Sequence, residues 1–221
     1  SEPEKKSFRQ LMDLYLEKNK WGDLGIDICL GPEIDYDVSF NEEMFLPDYL
    51  FKGIENAVRD GDKNIVSKTN IINLQKEDFQ SYSFSPHYIF LIFFIISIYL
   101  SFRQVKYGIK YFVFDSIYLM VSGIIGCLLL YLWFFTDHLS SYNFNIVWAM
   151  PFNIIISILI LVNPNSSLVK WYMFLYSVLL FSLMILWNWI PQNLNEILLF
   201  FILGITLRLS VNFISLSKIR L

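Results

Sequence analysis

The sequence predicts an all-α membrane bundle, with five transmembrane helices preceded by a small, mainly helical, acidic segment. One observation is composition: 55% of the 221 residues are hydrophobic, and the mean hydropathy is +0.48. Another is charge, because residues 1–80 hold 10 of the 17 Lys and Arg and 17 of the 20 Asp and Glu. A water-soluble surface could not be built from so few charges, so residues 81–221 need lipid around them. We therefore place a domain boundary between residues 80 and 81.

Five apolar runs predict the five spans, several of them with the roughly 17 to 25 residues that cross about 30 Å of hydrocarbon. The first run is short, but Pro86 suits the first turn of its helix and Val105 can extend the far end. The runs are residues 88–102, 111–135, 146–162, 171–187 and 197–216.

The basic residues between the runs predict the orientation, because cytoplasmic loops are enriched in Lys and Arg. Two of the connections, residues 136–145 and 188–196, contain neither Lys nor Arg. We therefore expect residues 1–85 and these two loops to lie outside, and the C-terminus to lie in the cytoplasm. The six basic residues of the other connections are Arg103, Lys106, Lys110, Lys170, Lys218 and Arg220.

The acidic segment begins with a capping box at Ser7 and Gln10, which predicts a helix to about Lys20 that Gly22 ends. A second short helix is expected over residues 23–30. Residues 32–37 are acidic and turn-rich but lack the spacing of a calcium-binding loop, so a solvated loop is predicted and no metal is expected.

The rest of the segment starts with another capping box, at Ser39 and Glu42. A helix is expected from Pro47 to about Val58, a turn over residues 61–64 and an extended stretch over residues 65–74. Such short pieces make a small core, so the segment should pack on a neighbour.

The candidates for chemistry lie near the outer interface. Asp137 and His138 end the second span, Asn143 and Asn145 follow in the same loop, and His87 begins the first span. An imidazole beside a carboxylate could act as a general base or orient a lipid headgroup. Capping of helix ends and contact with headgroup water is the favoured alternative, since no activated nucleophile is recognised nearby.

Two cysteines and two charges within the spans complete the candidates. Cys29 and Cys127 have no metal or redox spacing, and Cys29 reads as a buried structural residue. Asp115 and Arg208 are expected to form an intramembrane ion pair; snorkelling of Arg208 and a transport pathway are the alternatives. Neither a cofactor nor a nucleic acid is expected.

Several stretches together resemble Lnb-like bacterial membrane proteins. Residues 21–31 (WGDLGIDICLG) and 43–50 (EMFLPDYL) look like the segment after the periplasmic domain of that family. Residues 133–138 (WFFTDH), 143–145 (NFN) and 148–151 (WAMP) look like its second span and outer loop. The resemblance runs over most of the chain.

The resemblance implies acyl transfer to the α-amino group of the N-terminal Cys of lipoproteins, in the bacterial inner membrane. It also implies a papain-like, NlpC-type periplasmic domain whose Cys–His pair does the chemistry, expected upstream of residue 1. The implied partners are phospholipid and lipoprotein substrates and that missing domain or a partner chain. The chain then looks like the membrane-anchoring carboxyl half. A non-catalytic subunit of an envelope complex and a small transporter are the rival readings.

Overall fold

The computed structural model describes residues 5–59, 63–70 and 84–217. These residues are mostly helical, and the predicted all-α membrane bundle is confirmed: four helices are long and apolar enough to cross a membrane, and a fifth apolar helix is shorter. The predicted boundary at residue 80, the end of the extended stretch at residues 71–74, and the basic residues Lys218 and Arg220 lie outside the described part.

Residues 5–59 form a small lobe, called the N-terminal lobe below, built on the helices α1 (Phe8–Leu16), α2 (Lys20–Cys29), α3 (Phe40–Glu43) and α4 (Pro47–Glu55). Both predicted capping boxes are present. At the first of them, the backbone N–H of Gln10 donates to Ser7 Oγ at 3.2 Å and the N–H of Ser7 donates to Gln10 Oε1 at 3.0 Å. Two orphan donors of α1 are thereby satisfied.

Two predicted helix ends in the lobe are wrong. α1 ends at Leu16, and Gly22 lies inside α2, because the side chain of Asn19 caps α2 by accepting from the N–H of Gly22 at 3.1 Å. α4 ends at Glu55, after which β1 (Val58–Arg59) pairs antiparallel with β2 (Lys63–Asn64). Residues 63 and 64 of the predicted turn at residues 61–64 therefore form strand β2. Residues 61 and 62 lie outside the described residues.

The bundle contains α5 (Pro86–Tyr107), α6 (Phe112–Phe135), α7 (Asn153–Val162), α8 (Ser167–Ile185) and α9 (Leu198–Ser217). α9 packs between α5 and α8, while α6 packs against α7. Aromatic rings fill the centre, where Tyr118 stacks on Phe201 at 4.5 Å between centroids and Trp148 meets the same ring edge-on at 5.6 Å.

The third span differs from its prediction. The run at residues 146–162 starts as a 3-10 helix (Phe144–Val147), and α7 has only 10 residues, about 15 Å at 1.5 Å per residue. Pro151 explains part of this, since proline disfavours the α conformation in the residue before it. The segment 136–152, which is irregular apart from this 3-10 helix, leads into α7.

This segment penetrates deeply because α6 carries a glycine where the two backbones meet. A Cβ on Gly126 would collide with the carbonyl oxygen of Ala149. Gly126 lies nine residues before the end of α6, about 13 Å along the helix. Trp148 and Ala149 are buried there. Non-helical backbone is tolerated at such depth only where protein covers it.

Candidate functional site

One cluster of buried polar groups lies at the end of the bundle on which the N-terminal lobe packs, called the capped end below. Leu24 of α2 belongs to the core of the bundle, and Trp21 Nε1 donates to the carbonyl of Phe84 just before α5 at 2.8 Å. The start of α2 is thereby held against the start of the first span.

Asp27 lies at the centre of this joint. Its carboxylate accepts from Arg9 Nη1 of α1 and from Asn195 Nδ2, the latter at 2.7 Å, and its carbonyl accepts from Asn145 Nδ2 at 2.9 Å. The residue is 6% exposed. One aspartate therefore links α1, α2, segment 136–152 and the residues before α9.

Arg9 is the buried cation of the joint, at 3% exposure. Its Nε and Nη2 donate to Asp35 Oδ1 and Oδ2 at 2.7 and 3.2 Å, in addition to the bond with Asp27. Burial acts to lower the pKa of Arg9, but the hydrogen bonds to Asp35 and Asp27 outweigh it and raise that pKa above its ordinary value. The loop at residues 32–37 is thus not fully solvated as predicted, because Asp35 is drawn inward by Arg9.

The amides of the joint cap the C-terminus of α2, whose last carbonyls have no partner within the helix. Asn143 Nδ2 donates to the carbonyl of Ile28 at 2.7 Å, and Gln192 Nε2 donates to that of Leu30 at 3.0 Å. Gly31 N–H donates to the carbonyl of Leu139 at 2.8 Å. Helix α2 thus ends against the two loops of the capped end.

An open cavity of about 700 Å³ lies beside the joint, between α1, α2, the start of α5 and the residues before α9. Asp27 borders both the joint and the cavity. His87 lines the cavity, and its ring packs edge-on against Phe200 at 5.2 Å. Burial and the charges of Asp27 and Asp23 raise the pKa of Asp13, another lining residue, to about 6. The walls are predominantly anionic, so this cavity favours cationic groups over anions.

The candidates predicted at the outer interface are therefore distributed over three places. Asn143 and Asn145 lie together in the buried joint, and His87 lies in the cavity. Asp137 and His138 are exposed, and in the described part of the chain neither side chain forms a hydrogen bond. The structure does not bring these two residues to the cavity.

The two thiols are separate and unoxidised. Burial raises the pKa of Cys29, which makes its thiolate scarce and its thiol a poor nucleophile near neutral pH. Cys127 lies within α6 on an exposed face. Within residues 5–59, 63–70 and 84–217, no group of three or more His, Cys, Asp and Glu side chains is arranged to hold a metal.

Asp115 and Arg208 lie together near the opposite end of the bundle, at 2% and 1% exposure. Arg208 Nε and Nη2 donate to Asp115 Oδ1 and Oδ2 at 2.7 and 2.9 Å, a bidentate pair. Gln104 accepts from Arg208 Nη2 at 2.8 Å, Ser101 accepts from its Nη1 at 3.2 Å, and Asn212 donates to Asp115 Oδ2 at 2.7 Å. The pair is enclosed by α5, α6 and α9.

Sequence reasoning missed Arg9, Asp27, Asp35 and Gln192. One signal was present for Asp27, a single charge in the apolar stretch at residues 24–30. Arg9 and Gln192 carried no comparable signal, because their partners are far away in the sequence.

A family model described as the Lnb transmembrane domain matches residues 76–219. No curated protein and no solved structure matches the chain. The match covers the whole described bundle, including the buried pair and the loops that cap α2.

Proposed function

We propose that this chain, which belongs to the Lnb transmembrane-domain family, is the membrane half of a protein that acylates the N-terminal Cys of bacterial lipoproteins. Membership of that family is the observation that carries the proposal. The chain is a membrane protein. The reaction, the substrates and the inner membrane as its location belong to the proposal.

The role that we propose for the bundle is to hold a catalytic domain beside its lipid substrates. Restricting an enzyme and its acyl donor to one surface raises their encounter frequency and fixes their orientation. The joint around Asp27 supports this role, because the side-chain amides of Asn145 and Asn195 donate to Asp27 and fix the N-terminal lobe on the bundle. A domain attached to the lobe would therefore also be held in a fixed position relative to the bundle.

We assign the chemistry itself to the papain-like periplasmic domain that the family resemblance implies. Acyl transfer by such a domain needs a thiolate activated by an adjacent base. The described residues argue against Cys29 in that role, since burial raises the pKa of its thiol. Asp137 and His138 remain candidates for a contact with headgroups because both are exposed on the loop after α6.

We further propose that the capped end faces the periplasm and the opposite end the cytoplasm. The support is the distribution of Lys and Arg: Arg103, Lys106, Lys110 and Lys170 all lie in or next to connections at the end away from the lobe. The family resemblance implies a periplasmic catalytic domain, so this orientation places the lobe on the same side as that domain.

The rival readings differ in their support. Asp115 and Arg208 neutralise each other, which removes the observation that suggested a small transporter. A non-catalytic envelope subunit remains the alternative that the experiment must separate.

The test compares two samples in nanodiscs: the protein with the domain expected before residue 1, and the 221-residue chain alone. Each is incubated with a diacylglycerylated lipopeptide, and N-acylated peptide is measured by mass spectrometry. We expect product from the longer protein and none from the chain alone, because the nucleophile–base pair lies in the added domain.

Two variants of the longer protein serve as controls. Replacing the thiol of the added domain should abolish the product, whereas His138→Ala should retain most of it. Absence of activity in the longer protein would favour the subunit reading. Acylation by the chain alone would move the chemistry to its own residues, beginning with Asp137 and His138.

A further inference from the structure

Three cations lie close together in sequence at the end of the bundle away from the lobe. Arg103 and Lys106 share one face of the last turns of α5, at positions i and i+3. The helix ends at Gly108, whose φ of 71° is in the left-handed region that glycine adopts most readily. The chain therefore reverses direction directly after α5, and Lys110 lies two residues before the start of α6.

Aromatic rings hold each of these cations without neutralising it. The Arg103 guanidinium lies 5.3 Å from the ring centroid of Tyr107, and its Nη1 donates to the Tyr99 hydroxyl at 3.0 Å. Lys106 Nζ lies 5.1 Å from the Tyr107 centroid, and Lys110 Nζ lies 5.5 Å from that of Phe112. Cation–π contacts fix the position of a charge but leave it available to an anion.

No carboxylate in the described part of the chain pairs with these three cations. The acid in the first turn of α6, Asp115, is bound bidentately by Arg208. Arg103 Nε is buried and lacks a hydrogen-bond partner among the described residues. The charges of the three side chains are therefore not neutralised by a carboxylate of the described residues.

An open apolar groove of about 610 Å³ begins at Lys110 and follows the first turns of α6. Lys110 stands at one end, and the lining continues through Phe112 and Val113 to Ile117. Val113 and Ile117 are exposed side chains of a helix in the membrane, so the groove faces lipid. Positive charge at its mouth and apolar surface along its length match an anionic amphiphile.

We infer that this end of the bundle binds one anionic phospholipid, with the phosphate between Arg103, Lys106 and Lys110 and an acyl chain along the groove. Phosphate oxygens supply the acceptors that charged N–H donors prefer. The groove makes this a lipid site and not a site for free phosphate, which would leave the apolar surface uncovered. The inference does not depend on the proposed acylation.

The test uses the purified 221-residue chain and native mass spectrometry of retained lipids, with phosphatidylglycerol and phosphatidylcholine as matched probes of equal chain length. We expect retention of one phosphatidylglycerol with a preference of about tenfold over phosphatidylcholine, as several cations near an anionic lipid predict. Inorganic phosphate at equal concentration should not displace the lipid. Displacement by phosphate would show that the headgroup alone binds, and would overturn the role of the groove.

The double variant Arg103→Gln with Lys110→Gln should lose the preference, while Lys170→Gln removes one charge at the same end and should keep it. Thermal melts in phosphatidylcholine establish that each variant is folded. If the double variant does not fold, Lys106→Gln alone replaces it and should reduce the preference severalfold. Equal retention of the two lipids by the wild type would show that the anionic headgroup is not recognised, and would refute the site. Loss of the preference in Lys170→Gln equal to that in the double variant would show only general attraction to charge, and would refute a built site.

Discussion

Removing either charge of the buried pair should damage the bundle more than removing both charges together. Asp115→Asn leaves the Arg208 cation among Gln104 and Ser101, which accept hydrogen bonds but carry no charge. Arg208→Gln leaves the Asp115 carboxylate with Asn212 as its hydrogen-bond donor. Each single change therefore strands a charge that is at most 2% exposed.

The magnitude follows from the cost of an unpaired charge. A charged side chain within a membrane helix costs about 2.5–3.5 kcal/mol on insertion scales, so each single variant should lose about 2–3 kcal/mol of unfolding free energy. For a chain of this length, this corresponds to a melting temperature lower by about 5–10 °C. The double variant should lose less than either single variant, and therefore far less than the additive sum of about 4–6 kcal/mol, because no charge is left alone.

The assay is a double-mutant cycle in one detergent, with melting followed by intrinsic fluorescence and by retention of the monodisperse peak on gel filtration. Thr206→Val is the control, since Thr206 lies on the same helix and its hydroxyl bonds only to the carbonyl of Ile202 in the described part. That variant should melt within about 2 °C of the wild type, as expected for a change outside the network.

Additive losses would refute this reasoning. Polar coupling within bilayers averages about 0.6 kcal/mol and reaches about 1.7 kcal/mol. A coupling energy below about 0.5 kcal/mol would therefore show that Asp115 and Arg208 interact no more strongly than ordinary polar side chains in a bilayer. Single variants that melt like the wild type would mean that water or lipid headgroups already reach Arg208.

Three further predictions concern topology, packing and pH. In a background without native thiols, a cysteine at Tyr142, which is 69% exposed, should react with an impermeant thiol reagent from the periplasmic side. A cysteine at Asn165 should react only after the inner side is opened. The reverse pattern would contradict the proposed orientation. Gly126→Ala should lower the melting temperature because its Cβ meets backbone, whereas Gly25→Ala, with open space around it in α2, should be neutral or raise it. Since the pKa of Asp13 is raised to about 6, its contribution to stability should be complete below about pH 4 and lost as the pH rises through 6. Asp13→Asn should therefore flatten that part of a plot of melting temperature against pH. An unchanged plot would contradict the shift.

Local signals in the sequence were sufficient for the elements that depend on local interactions. Capping boxes predicted the starts of α1 and α3, because a cap is made by residues three apart. Apolar length predicted the four long spans, since lipid selects on composition and length. The predicted end of α1 was wrong because the side chain of Asn19 caps the start of α2. Gly22 therefore lies inside that second helix and does not end the first.

The third span shows the limit of hydropathy. Trp148, Ala149 and Ile156 are all buried in the bundle, but the first two lie on non-helical backbone and the third on α7. Burial by protein and burial by lipid select the same apolar side chains, so the composition of the run could not reveal where its helix begins. The joint was missed for a related reason: Arg9 meets Asp27 and Asp35 at separations of 18 and 26 residues, which no local pattern encodes.

The short third helix and the lobe are physically linked. Because α7 begins only at Asn153, segment 136–152 is free to present Asn143 and Asn145 toward α2, where their amides bind the carbonyls of Ile28 and Asp27. In this position the two amides satisfy carbonyls near the C-terminus of α2 that have no partner within the helix. Residues 5–37 and the loops of the bundle therefore share one buried polar core.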